Sequence, residues 1–212
     1  MRMKNILCYG DSNTFGYTPA GGRYDLAARW TGRLAAMLGP EYHIIEEGMC
    51  GRNTVWDDAI EPMRNGLRFL PVALQSHQPL DMVIVSLGTN DCKVHLNAPA
   101  GVIALGLTRI VECIKRYPYD IGSAPEVLIV SPIFIGDGHV ERLHVSYDHS
   151  SAQKTRQLAP LFEQVAGAHG CLFLDAAKVA GPSAADQLHM EPEGHAALAN
   201  ALYPLVRGCF SD

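Results

Sequence analysis

The sequence predicts an open α/β sheet with helices on both faces, and three observations carry that expectation. Apolar runs of strand length alternate with longer segments of helical period. The first, third and fourth of those runs are almost continuously apolar, as strands buried on both faces of a parallel sheet must be. No internal repeat, low-complexity tract or linker-like shift in composition divides the chain, so residues 1–212 read as a single domain.

The strand candidates, in order, are Asn5–Tyr9, His43–Glu47, Met82–Leu87, Val127–Ser131 and Cys171–Leu174. Helical period marks Arg29–Leu38, Ala100–Tyr117, Ser151–His169 and Pro192–Val206. In Ala100–Tyr117 the residues Val102, Ile103, Leu107, Ile110, Val111 and Ile114 recur at three- and four-residue steps, one apolar stripe. Two long segments, Gly48–Leu67 and Ile135–Ser150, read as irregular, and loops of that length in compact domains are usually functional.

Composition removes several function classes. With 48% hydrophobic residues, 212 positions can bury a sizeable core. A net charge of -5 and the lack of a dense Lys/Arg run give no footprint for nucleic acid. The six cysteines are scattered without a Cys-x-x-Cys pair, which argues against a zinc site or a disulfide framework. The apolar stretch before Cys8 is too short for a signal segment, and no run approaches the length of a membrane span. The expected location is the cytoplasm, with no membrane partner.

Polar clusters fall where such a sheet would bind a ligand, outside the carboxyl ends of its strands. They are Gly10-Asp11-Ser12-Asn13, Gly48-Met49-Cys50-Gly51-Arg52-Asn53-Thr54 and Gly88-Thr89-Asn90-Asp91. A serine hydroxyl hardly ionises at neutral pH, so Ser12 needs a base to act as a nucleophile. Asp186 and His189, three residues apart, would share a face of a helical turn and follow the last strand. Asp186 could then orient one nitrogen of His189 and leave the other for Ser12. Gly51 and Ser12 backbone amides and the Asn90 side chain are candidate donors to an oxyanion. Taken singly these features are bland: a helix cap, a turn and a chance Asp/His spacing. Their coincidence is what points to acyl transfer. His195, inside the last helical pattern, is expected to pack or face solvent.

These clusters resemble the SGNH (GDSL-like) hydrolase superfamily of serine esterases. The blocks run in that order: GDSN at Gly10–Asn13, the glycine block at Gly51, GTND at Gly88–Asp91 and DxxH at Asp186–His189. The stretches GDSNTFGY, RWTGRLA, EEGMCGRNT, LDMVIVSLGTNDCK and QKTRQLA are similar to the bacterial arylesterase/acyltransferase branch. The resemblance implies a three-layer α/β/α sandwich with a five-stranded parallel sheet, flavodoxin-like in plan. It implies Ser12 as nucleophile, His189 as base and Asp186 as its orienting acid, with Ser12, Gly51 and Asn90 as the oxyanion hole. It implies a small-molecule ester substrate with a short, acetyl-type acyl chain, possible transfer to alcohols, no cofactor, and a homo-oligomer, often an octamer. One departure is Met-Cys-Gly-Arg-Asn-Thr, where nearby relatives often have Leu-Ser-Ala-Arg-Thr-Thr.

Four further readings stand beside these. Trp56 would wall the acyl pocket or else anchor its loop, and Arg52 would orient a substrate or, the favoured reading, pair with Asp57 or Asp58. A metal-dependent phosphoesterase would draw on the aspartates of GDSN and GTND with His139, His144 and His149, whose spacing suits no helix face. A non-catalytic protein of the same fold would use the crevice to bind a small ligand.

Overall fold

The computed structural model describes residues 2–137 and 146–210. Its strands are β1 (Lys4–Gly10), β2 (Tyr42–Gly48), β3 (Met82–Ser86), β4 (Glu126–Ser131) and β5 (Leu172–Asp175). Its helices are α1 (Ser12–Phe15), α2 (Trp30–Leu38), α3 (Gly66–His77), α4 (Ala100–Arg116), α5 (His149–His169) and α6 (Pro192–Cys209). The strands pair in the order β2-β1-β3-β4-β5, parallel throughout. All five expected strands are present, each within a residue or so of its expected bounds.

Alternation along the strands makes the layers. Leu7, Tyr9, Val83, Val85, Val127 and Ile129 pack with Leu70, Leu74, Ile103, Leu107, Ile110, Leu158 and Phe162 on one face, beneath α3, α4 and α5. The intervening Ile6, Cys8, Met82, Ile84, Leu128 and Val130 pack with Trp30, Leu34, Leu198, Leu202 and Val206 on the other, beneath α2 and α6. A period of two sends neighbouring side chains to opposite faces, so a strand buried on both has to be apolar throughout. The result is the three-layer α/β/α sandwich. Its strand order reverses at β1, with β2 on one side and β3 on the other, and the crevice of such a sheet opens at that point.

Besides the single turn of α1, one helix lay outside the expected helical segments. α3 carries Pro71 in its interior, and a proline there removes one backbone bond and masks the helical signal. The stripe is nonetheless present: Leu70, Ala73 and Leu74 are buried, and the Asn65 side chain caps the start by accepting the Arg68 N–H at 3.1 Å. α5 begins two residues before its expected start because Asp148 and Ser151 form a reciprocal capping box. No helix among the described residues is long and apolar enough to cross a membrane.

His195 is fully buried, and its Nδ1 accepts the Trp30 N–H at 3.3 Å, tying α6 to α2. Burial, helped by Arg33 and Arg29, lowers its pKa from 6.5 to about 4. The unfolded chain therefore binds a proton that the fold refuses between those values, so stability is lost as pH falls from 6.5 toward 4. The loss attributable to His195 should reach about 3 kcal/mol. Urea unfolding at pH 7 and pH 4.5 checks it: His195→Asn, which keeps an acceptor for Trp30, should lose much less than the parent protein. Equal losses in the two proteins would assign the slope to the carboxylates.

Candidate active site

β1 delivers its last residue, Gly10, to the carboxyl edge of the sheet, and the chain turns at once into α1. Asp11 makes that turn: its carboxylate caps α1 by accepting the Asn13 N–H at 3.0 Å. Burial raises the Asp11 carboxyl above its ordinary range, and the Asn13 N–H, His189 and the Thr89 hydroxyl reverse only part of that. Ser12 is the first residue of α1, buried but for 8% of its surface. Its backbone N–H, in the first turn, has no partner within the helix.

The loop after β5 brings His189 over Ser12, with Nε2 and Oγ 2.9 Å apart. On the other side of the ring, Nδ1 lies 2.5 Å from Asp186 Oδ2. An ionised carboxylate only accepts, so the proton sits on Nδ1 and Nε2 is left to accept the Ser12 hydroxyl. The same carboxylate accepts the N–H groups of Leu188 and His189, each at 2.9 Å. Burial alone would raise Asp186, but the His189 ring and these two amides outweigh it and hold the carboxyl below its ordinary range. The pair meets by a different route from the one its spacing suggested. No helix spans Asp186–His189; the chain makes a tight turn with Gln187 at φ 60°, closed by the carboxylate itself.

The other two clusters complete the crevice. Gly51 lies in a turn closed by the Arg52 N–H to the Met49 carbonyl, 3.1 Å, with φ 80°. That φ is left-handed and favours glycine, whereas the atoms a Cβ would meet, Arg64 Nε at 2.8 Å and Glu61 Oε2 at 2.9 Å, are side-chain ends that can shift. Asn90 opens a 3₁₀ turn after β3. Its Nδ2 donates to the Arg52 carbonyl at 3.1 Å, and its Oδ1 accepts the Tyr147 hydroxyl at 2.9 Å. The carbonyl can only accept, which settles which end of the amide is nitrogen. Ser12, Gly51, Asn90 and His189 all line one pocket of about 270 Å³.

This site is set on a chain that fits a known family model: GDSL-like lipase/acylhydrolase matches residues 8–197. The chain belongs to this family. A carbohydrate acetylesterase family member from Sinorhizobium meliloti is 36% identical over 98% of this chain and 99% of its own, with a TM-score of 0.92. The native aryl esterase of M. smegmatis is 35% identical over 98% and 100%, with a TM-score of 0.90. A member of the lipolytic G-D-S-L family from Veillonella parvula shares the fold, with a TM-score of 0.69 at 15% identity. A search of curated proteins found no match. The resemblance read from GDSN, GTND and DxxH is borne out.

Other residues of this GDSL-like chain fall differently from the reading of the sequence. Trp56 is not part of the pocket wall; it anchors its loop, donating its indole N–H to Asp91 at 3.1 Å. Asp91, fully buried, also accepts the backbone N–H of Thr54 at 3.0 Å and the Thr54 hydroxyl. Burial raises its pKa to about 6, only partly offset by Thr54 and Trp56. Arg52 pairs with neither Asp57 nor Asp58. It donates to the carbonyls of Gly10 (3.0 Å) and Glu47, lies 3.7 Å from the Glu47 carboxylate and stacks over Tyr9. Asp57 instead faces Arg68, and Asp58 pairs with His95 at 2.8 Å. Of the histidines in the metal reading, His149 is exposed at the start of α5, and His139 and His144 lie outside the described residues. Among the described residues no three metal-ligating side chains converge.

The pocket also holds residues that the sequence did not single out. The Tyr17 ring lies 4.8 Å from that of His189. Lys93, itself buried, pairs with Glu61 at 2.6 Å on the pocket wall, and Tyr147 orients Asn90. Tyr17 lies four residues after GDSN and Lys93 two after GTND, a signal that proximity to those blocks could have supplied; Glu61 and Tyr147 come from irregular loops and carried none. A larger concavity, about 650 Å³ along Asp57–Phe69, contains none of the triad or oxyanion candidates.

Proposed function

We propose that this chain is a serine esterase that hydrolyses short-chain, acetyl-type carboxylic esters, aryl esters among them, through an acyl-enzyme on Ser12. The observation that carries the reading is the unbroken series Asp186–His189–Ser12, 2.5 and 2.9 Å at its two links, opening on a pocket shared with Gly51 and Asn90. In this reading Ser12 Oγ attacks the ester carbonyl as His189 Nε2 takes its proton. The oxyanion receives the Ser12 and Gly51 amides and the Asn90 side chain. His189 then protonates the departing alkoxide, and the acyl group stays on Ser12. Water, deprotonated by the same nitrogen, releases the acid and restores the serine. Asp186 stays ionised and stabilises the imidazolium. An alcohol reaching the acyl-enzyme before water would take the acyl group instead, so transfer is part of the proposal. The modest pocket favours a small acyl group, and the aryl esterase and carbohydrate acetylesterase relatives support the acetyl and aryl choices.

The test is p-nitrophenyl acetate turnover together with labelling by a serine-directed phosphonate. We expect turnover that survives EDTA and an adduct that mass spectrometry places on Ser12. An unlabelled protein, or a label elsewhere, would bring the binding-protein reading forward. We also expect a homo-oligomer. Ile60 and Met63 leave 67% and 69% of their surface exposed on the loop before α3, apolar side chains that a second copy would cover. Sedimentation velocity showing a 23.0 kDa monomer at working concentration would refute that expectation.

A further inference from the structure

We infer that Asn13 is a positioning residue whose side-chain amide sets the reach of His189 to Ser12; the inference rests on the esterase reading above. Asn13 belongs to GDSN, has no part in the proton relay or among the oxyanion donors, and is nevertheless buried, with 7% of its surface exposed. Its Oδ1 accepts the Met190 N–H at 3.0 Å, and its Nδ2 points to the Leu188 carbonyl at 3.5 Å. These are the two residues flanking His189. The Met190 N–H can only donate and the Leu188 carbonyl can only accept, so the amide has one satisfactory orientation. Its own backbone N–H is held by Asp11. The side chain therefore acts as a rung between the residue next to Ser12 and the backbone on both sides of His189.

Other bonds hold the histidine loop without bringing it to the serine. Asp186 gathers the amides of Leu188 and His189, and the Ser183 N–H donates to the His189 carbonyl at 2.7 Å. The Gly136 N–H ties the Gln187 carbonyl to the segment after β4, 2.9 Å, and the Tyr24 hydroxyl reaches Glu191 at 3.0 Å. Asn13 joins that loop directly to the Ser12 turn. Proton transfer tolerates little misplacement, and an error of about 1 Å in a reacting pair costs on the order of 10²-fold in rate.

The experiment compares Asn13→Ala, Asn13→Leu and Asn13→Asp with the parent protein on p-nitrophenyl acetate. Rates are normalised to the sites that a serine-directed phosphonate titrates, so misfolded protein does not count. We expect kcat per site to fall roughly 10- to 100-fold in Asn13→Ala and Asn13→Leu with KM unchanged. The phosphonate inactivation rate should fall in parallel, because it needs the same proton transfer. Asn13→Asp, which keeps the acceptor for Met190 and loses the donor to Leu188, should lie between them and the parent. The downfield proton resonance of His189 Nδ1–H should persist in all three, since the Asp186 contact is untouched. Full kcat per titrated site in Asn13→Ala and Asn13→Leu, with only a lower unfolding midpoint, would overturn the inference and leave Asn13 a structural residue. A parent protein with no turnover and no Ser12 adduct would instead defeat the esterase reading, and this inference with it.

Discussion

Ser12→Ala and His189→Ala should each lower kcat for p-nitrophenyl acetate by several orders of magnitude, on the order of 10⁶ where a triad acts as a unit. The two losses should be nearly equal, and the double variant should lose little more. The reason is geometric. Ser12 Oγ has its acceptor in His189 Nε2, 2.9 Å away, and without that acceptor the hydroxyl keeps its proton. Conversely, an imidazole with no hydroxyl before it can assist only water. Residual catalysis of roughly 10³–10⁴ over the uncatalysed reaction should survive through the oxyanion donors and binding. Independent losses that multiply in the double variant would mean that the two side chains do not share one proton transfer.

Asn90→Ala should carry the next largest effect, a drop of about 10²–10³ in kcat, or roughly 2.7–4 kcal/mol of transition-state stabilisation. KM should hardly change, because the donor acts on charge that exists only while the carbonyl is under attack. Asn90 also bonds the Arg52 carbonyl and the Tyr147 hydroxyl, so the measurement needs a control for the fold. The unfolding midpoint and the number of phosphonate-titratable sites supply it. A variant with full titre, normal midpoint and unchanged kcat would remove Asn90 from the oxyanion hole. Burial raises the Tyr147 phenol well above its usual range, so that hydroxyl remains a donor to Asn90 across the working pH.

Much of this architecture was legible because burial on two faces leaves a strong mark on sequence. Ile6–Tyr9 and Met82–Val85 have no polar position to spare, and their alternate side chains feed two different cores. α4 was equally plain, since its stripe is unbroken. α3 was not, because its stripe is only Leu70, Ala73 and Leu74, broken by Pro71 and by an exposed Val72. At the site, Ser12, Gly51, Asn90, Asp186 and His189 were legible as residue types clustered at strand ends or in a short motif. Trp56 was left open between pocket wall and loop anchor because an indole in a loop near the crevice has the same composition whether it faces substrate or a buried carboxylate. The favoured reading of Arg52, an ion pair with Asp57 or Asp58, failed because its strongest partners are backbone carbonyls, which no sequence displays.

The sequence by itself determined the layered α/β plan, the edge of the sheet on which chemistry would gather, and the identity of the residues gathered there. Those follow from local rules: periodicity, strand length and the polar residues that end each strand. Only the tertiary structure decided which of those residues touch. It joined Asp186 to His189 through a turn with Gln187 at positive φ rather than a helix, and it laid Asn13 between Leu188 and Met190. It also turned Trp56 and Arg52 inward. Contacts between segments far apart in the chain depend on the register of packed elements and on which buried polar group each must satisfy, and neither is written in the order of residues at any one place.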